Sequence, residues 1–327
     1  MVAHATPNQS LSSGLRPINP LRDMVSVTRL IELAFAGDMD AGGRAVMREM
    51  RWMGTLLGWA DWFTSPGQGL MPGYVWVEDG EIVGNVTTRR LGVFSGGWMI
   101  GNVAVAPEWR GRGIARQMME AGIELVRHNY GNWIALQVRS DNDIAHRLYR
   151  SLGFVDTGEI VYFESALPDR VAPSPHAEVR VRPAQDRDMP RLFTLAQARV
   201  PESARWAEPV YRSAFDIGLE HRLADWLTAS RHIWRVAELD NQLCGAAMLH
   251  VKQRERRAQL SLWVDAAHTD QAEQTLVDSV LAEARIPLRQ ITARVPGDHI
   301  AGRVALTTRG FRQVRALTSM KLTLNEQ

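Results

Sequence analysis

The chain has 327 residues, 45% of them hydrophobic and 23% charged, with a formal net charge of +2 at pH 7. That length exceeds one ordinary core and suits two domains, and the composition is that of a globular protein. The arginines are dispersed rather than gathered in a tail, and no apolar run approaches the roughly 18 residues needed to span a bilayer, so the reading is of a protein that binds no nucleic acid and no membrane.

The one cysteine, Cys244, cannot close an intrachain disulfide and reads as a small buried strand residue; no Cys/His spacing suggests a metal site. Residues 1–15 are small and polar, without a basic start or an apolar run. They are expected to be flexible and to hold no signal peptide, and a reducing, cytoplasmic location fits.

In chain order, Arg16 to Asn19 predicts a short strand and Val25 to Ala36 an amphipathic helix with Val27, Leu30, Ile31, Leu33 and Ala34 on one stripe. Gly43 to Phe63 predicts a second helix rich in Trp and Met, either core packing or one wall of a cleft. Tyr74–Val77 and Ile82–Thr87 flank Asp79-Gly80, which predicts a hairpin. Trp98 to Val105 is a strand stopped by Pro107. Ile114 to His128 is helical, Trp133 to Val138 a strand, and Ile144 to Leu152 a short helix closed by Gly153. Val155 to Phe163 completes the series, and a proline-rich stretch at 168–176 reads as an extended linker.

After the linker the pattern starts over. Arg182-Pro183 answers Arg16-Pro17, and Asp188-Met189 answers Asp23-Met24. Ala237 to Asn241 with Gly245 answers Val77 to Gly80 with Gly84, and Gly310-Phe311 answers Gly153-Phe154. The shared order predicts a tandem duplication, with domains at 16–167 and 177–327. The copies differ where chemistry would sit. The second has Ala266-Ala267-His268-Thr269-Asp270 in place of the first copy's glycine loop, and Ala305 or Leu306 in place of Tyr149.

That glycine loop is Arg110-Gly111-Arg112-Gly113-Ile114-Ala115, between a strand and a long helix. Glycines let backbone N–H groups approach a ligand, and a helix N-terminus adds unpaired donors and partial positive charge. Arg110 and Arg112 add charge. The assembly suits a pyrophosphate, although alone it could be only a tight turn. The glycine spacing is not that of a Rossmann or P-loop site.

The stretch resembles the acetyl-CoA-binding motif of the GCN5-related N-acetyltransferase (GNAT) superfamily, Arg/Gln-x-x-Gly-x-Gly/Ala, filled by Arg110, Gly113 and Ala115. A second block is similar to the family's as well: Leu136 to Asn142, then Ala145, Leu148-Tyr149 and Leu152-Gly153-Phe154. The resemblance covers about residues 16 to 165. It implies an α/β fold with a mixed, mostly antiparallel sheet flanked by helices, present as two tandem GNAT-like domains of which the C-terminal copy is degenerate.

For the site it implies an acetyl-CoA co-substrate, with the pyrophosphate on the N–H groups of Arg110, Gly111, Arg112, Gly113, Ile114 and Ala115. The pantetheine arm would lie on the edge of Val103, Ala104 and Val105, where the fourth and fifth strands splay, and Asn142 would contact the cofactor. Tyr149 would protonate the leaving thiolate, unless it is only a helix tyrosine packed on the sheet. A strand carboxylate that often serves as base is replaced near Met99 and at Gln137; Glu108, Asp61 and His146 stay open as bases, His146 reading as an exposed helix residue.

The resulting expectation is an N-acetyltransferase without metal, acting on an amine of a small molecule or peptide, as monomer or homodimer. The alternatives are a catalytically silent acyl-CoA sensor or assembly module, and a chain with two active sites.

Overall fold

The computed structural model describes residues 13–34, 72–91, 96–165, 179–200, 202–207, 209–216, 218–284 and 288–324. The helix expected at 43–63, Asp61 and the linker at 168–176 lie outside them.

The first copy runs β1 (Gly14–Pro17), α1 (Pro20–Ala34), β2 (Gly73–Glu78), β3 (Glu81–Leu91), β4 (Gly97–Val105), α2 (Ile114–His128), β5 (Trp133–Arg139), α3 (Asp143–Ser151) and β6 (Val155–Ser165). The second runs β7 (Arg180–Pro183), α4 (Met189–Arg199), α5 (Leu219–Thr228), β8 (Ser230–Leu239), β9 (Gln242–Lys252), β10 (Arg257–Val264), α6 (Glu273–Ala282), β11 (Gln290–Pro296), α7 (Ile300–Thr308) and β12 (Arg312–Thr323). This is the mixed sheet with flanking helices that the sequence predicts, twice, with the helix α5 having no counterpart among the described residues of the first copy.

The chain divides into two compact units. One takes in residues up to Gln137, Ile144–Val155 and the end of the chain from Lys321; the other takes in Val138–Asp143 and Asp156–Met320. In the first unit β1 to β5 lie side by side in chain order, antiparallel until β4 and β5, which are parallel. In the second, β6 is antiparallel to β11, followed by β10, β9, β8 and β7, with only β10 and β11 parallel.

Local chemistry repeats between the copies. The β2–β3 hairpin turns on Asp79-Gly80 and the β8–β9 hairpin on Asp240-Asn241, all four at positive φ, as a tight hairpin turn requires. Each hairpin shifts register just before its turn, at Trp76/Val77 and at Ala237/Glu238. α3 and α7 end in one motif: Gly153 and Gly310 sit at φ 91° and 77°, and the N–H groups of Phe154 and Phe311 reach back to the carbonyls of Tyr149 and Leu306.

An Arg–Asp fork opens each copy. Arg16 donates to both Asp23 oxygens at 2.6 and 2.8 Å, and Arg182 to both of Asp188 at 2.6 and 3.0 Å. Each aspartate also accepts the backbone N–H of the residue that starts the turn, Asn19 or Gln185. The fork fixes the first strand to the first helix, which is why Arg-Pro and Asp-Met recur. Arg182 reaches Glu238 as well.

The Arg182 hydrogen bonds hold the Asp188 carboxyl below its ordinary range against the opposing effect of burial. A folded-state pKa below the unfolded one stabilises above pH ~4 and is lost as the pH falls through the lower value. Asp188→Asn, which leaves a largely buried guanidinium with a weaker partner, is expected to cost about 3 kcal/mol at pH 7. Urea titration at several pH values will show the variant losing less stability than the parent between pH 5 and 2.

Candidate active site

β4 is an apolar strand with one irregularity. Gly84 pairs with Val105 and Asn85 with Ala104, but Thr87 pairs with Gly101, so β4 carries one residue more than β3. That is a β-bulge, and Asn102 within it takes φ 53°. Side chains hold it: Asn85 Nδ2 donates to the Asn102 carbonyl at 2.9 Å, Asn102 Nδ2 donates to Thr87 Oγ1 at 3.1 Å, and Thr87 Oγ1 donates to the Gly101 carbonyl at 3.0 Å. In the sequence these three residues belong to the strand pattern, which by itself does not reveal their role. A buried Asn85 and Thr87 inside an apolar strand pair are the available signal.

β4 and β5 are paired at only three positions, Gly97–Met99 with Trp133–Ala135. Both strands continue, β4 to Val105 and β5 to Arg139, but as parted strands. The splay expected beside Val103, Ala104 and Val105 is therefore present. The opposite edge of β4 remains on β3, and Ala104 and Ala106 pack with Leu30, Val83 and Trp109.

The loop after β4 begins with a 3-10 turn, Pro107–Trp109. Gly111 and Gly113 sit at φ 76° and 78°. A Cβ at either would meet nothing within 4 Å; glycine is needed for the left-handed backbone, and the space above it is open. Gly113 is the N-cap of α2, and no side chain among the described residues caps that helix. The helix ladder starts where Gln117 N–H donates to the Gly113 carbonyl, so the N–H groups ahead of Gln117 are available to a ligand.

Both loop arginines brace the loop. Arg110 Nε donates to the Val105 carbonyl at 3.1 Å, and Arg112 donates to the Glu108 carbonyl while lying 4.4 Å from the Trp109 ring centre. Ile114 is buried and Ala115 half-buried. Just beyond, Arg116 donates to Ser151 Oγ at 2.6 Å, which ties the first turn of α2 to the end of α3.

α3 carries Tyr149 on its buried face, with its ring 6.1 Å from that of Phe154. Burial pushes the phenol up to about 12. Asn142 precedes α3, is exposed, and donates its N–H to the Arg139 carbonyl. Glu108 is exposed.

His146 differs from expectation. It is only 7% exposed, because α3 turns His146 and Tyr149, three residues apart, onto one face. Neither ring nitrogen has a partner among the described residues. A buried polar group without a partner costs about 1–3 kcal/mol. His146→Leu is expected to raise the melting temperature by a few degrees, checked by calorimetry on the ligand-free chain.

Residues 38–154 match the Acetyltransferase (GNAT) family. Over that stretch the chain is similar to the GNAT acetyltransferases. Over 102 residues it is 37% identical to a mycothiol acetyltransferase of Nocardiopsis dassonvillei, covering 31% of this chain and 26% of that protein. Over 82 residues it is 37% identical to the N-alpha-acetyltransferase RimI of Mycobacterium tuberculosis, covering 24% and 49%. The chain thus spans a quarter to a half of these relatives.

In fold, it is similar to a GCN5-related N-acetyltransferase from Sphaerobacter thermophilus, with TM-score 0.60, 17% identity and coverage of 95% and 96%. It is also similar to a tandem GNAT protein from the clavulanic acid biosynthesis pathway, with TM-score 0.52, 15% identity and coverage of 97% and 100%. Both likenesses extend through both copies, so the fold is that of two GNAT-like domains in tandem. The parted strands and the glycine loop lie within the matched GNAT domain.

Proposed function

We propose that the chain is an acetyl-CoA-dependent N-acetyltransferase that moves an acetyl group to an amine of a small molecule or peptide, with its working site in the first copy. The observation that carries this reading is the N-terminus of α2, uncapped by any described side chain, under two open glycines and beside strands that part after three paired positions. Acetyl-CoA would supply the thioester that the amine attacks. The relatives' names point to different acceptors, mycothiol and an N-alpha amine, so the acceptor is proposed only as an amine.

In this reading the N–H groups of Gly111 to Ala115 hold the pyrophosphate, since the Arg110 and Arg112 side chains are engaged in bracing the loop. The edge of Val103 to Val105, whose Val105 carbonyl already accepts from Arg110, takes the pantetheine arm, and a backbone N–H there polarises the thioester carbonyl as negative charge develops. Asn142 adds the contact that the resemblance implies.

Tyr149 faces the leaving sulfur. With its phenol raised to about 12 and a thiol near 8.5, complete transfer of its proton is uphill by roughly 5 kcal/mol. Its first task is therefore to donate a hydrogen bond to the developing thiolate. The proton that the attacking amine must shed is acidic once the bond has formed and can follow. Met99 and Gln137 leave the flanking strands without a carboxylate at the expected places. That favours the silent acyl-CoA sensor as second reading.

Tyr149→Phe separates the two. The enzyme reading expects a fall of about 100-fold or more in free-thiol release from acetyl-CoA with an amine panel, with acetyl-CoA affinity unchanged. Tyr149 stays protonated across the working range, so it contributes no loss of rate up to pH 10. Tight binding by the parent chain without turnover on a broad panel would favour the sensor.

A further inference from the structure

The second copy has the same loop-to-helix junction with a different content. After β10 comes a 3-10 turn, Ala266–His268, and then α6. Asp270 stands where Gly111 does and takes nearly the same φ, 74° against 76°. Ala272 stands where Gly113 does, but its φ is −115°, as expected of a residue with a Cβ. The residue that follows is Ile114 in the first copy and Glu273 in the second.

Glu273 is not on the surface. It is 2% exposed. One oxygen of its carboxylate accepts the Ala272 N–H at 3.3 Å, at the N-cap of α6. His299 Nε2 lies 3.0 Å from its other oxygen and is 1% exposed. Counting back from the shared Gly-Phe, His299 stands where Asn142 does, just before α7. The positions of a loop-end core residue and an exposed asparagine have become one buried pair. A second tie, from Arg309 to the buried Asp278, joins α6 to the end of α7.

We propose that Glu273 is a built-in anion. Its carboxylate takes the donors that a phosphate would take in the first copy, and with His299 it seals the second copy against acyl-CoA. The proposal rests on the acyl-CoA reading of the first copy for what the donors would otherwise hold. Burial by itself would raise the Glu273 carboxyl; the hydrogen bonds from His299 and the backbone outweigh it and leave it below its ordinary range, which agrees with a charged occupant.

The test uses the full chain. Calorimetric titration with coenzyme A is expected to give one equivalent for the parent and none for Gly113→Val, which spoils the first loop. Two equivalents for the parent, or one for Gly113→Val, would overturn the proposal. No binding by the parent would sink the acyl-CoA reading instead and leave this proposal to the second arm. There, thermal unfolding is followed with millimolar inorganic pyrophosphate. Glu273→Ala vacates the cradle, and its melting temperature is expected to rise by several degrees more than that of the parent. Glu273→Gln, which keeps the space filled, is expected to show no such gain. Equal shifts in all three chains would contradict an anion cradle. Should Glu273→Ala not fold, the titration of the parent and Gly113→Val still decides.

Discussion

A helix begins with N–H groups that have no partner inside it, and something outside must take them. Two helices in this chain begin in the same place in two copies of one fold. α2 has a left-handed glycine at its N-cap and, among the described residues, no side chain on its donors. α6 has an alanine there and a buried carboxylate held by the Ala272 N–H and a histidine. The contrast is between one copy whose helix donors no described side chain takes and another that sets its own carboxylate against them.

The sheet prepares the same place. β4 and β5 separate after Met99 and Ala135, and β10 and β11 separate after Leu260 and Ala293, so parting belongs to the fold and is common to both copies. The bulge is not. β9 and β10 pair without a shift from Gly245–Val264 to Lys252–Arg257, whereas β4 inserts Asn102 and pins it with Asn85 and Thr87. A bulge re-aims the strand beyond it, here the segment Val103 to Val105 that leads into the glycine loop. The first copy thus combines open strands, a re-aimed edge and free donors; the second retains only the open strands.

Much of this is legible from local sequence because the devices are local. Asp79-Gly80, Gly153-Phe154 and the Arg-Pro…Asp-Met spacing each build a turn, a cap or an ion pair among near neighbours, and each recurs in order. The devices that local sequence hides are of two kinds. Some depend on residues far apart in the chain: Glu273 reads as an ordinary acidic first-turn residue until His299 is placed against it, and Asn102 reads as a strand residue until Asn85 and Thr87 are beside it. Others run against the apolar pattern. On α3 the polar His146 is buried while the apolar Ile144 is 76% exposed, which reverses the face that hydropathy suggests.

The central claim is that the N-terminus of α2, and not that of α6, is where acyl-CoA lands. Amide hydrogen exchange resolved at the two helix starts, with and without acetyl-CoA, tests it most directly. The account predicts added protection at Gly113, Ile114 and Ala115 and along Val103 to Val105, with the amides of Asp270, Ala272 and Glu273 slow to exchange and unchanged by ligand. Protection that appears at Asp270 to Glu273 on adding acetyl-CoA, or none at Gly113 to Ala115 at saturating ligand, would contradict it.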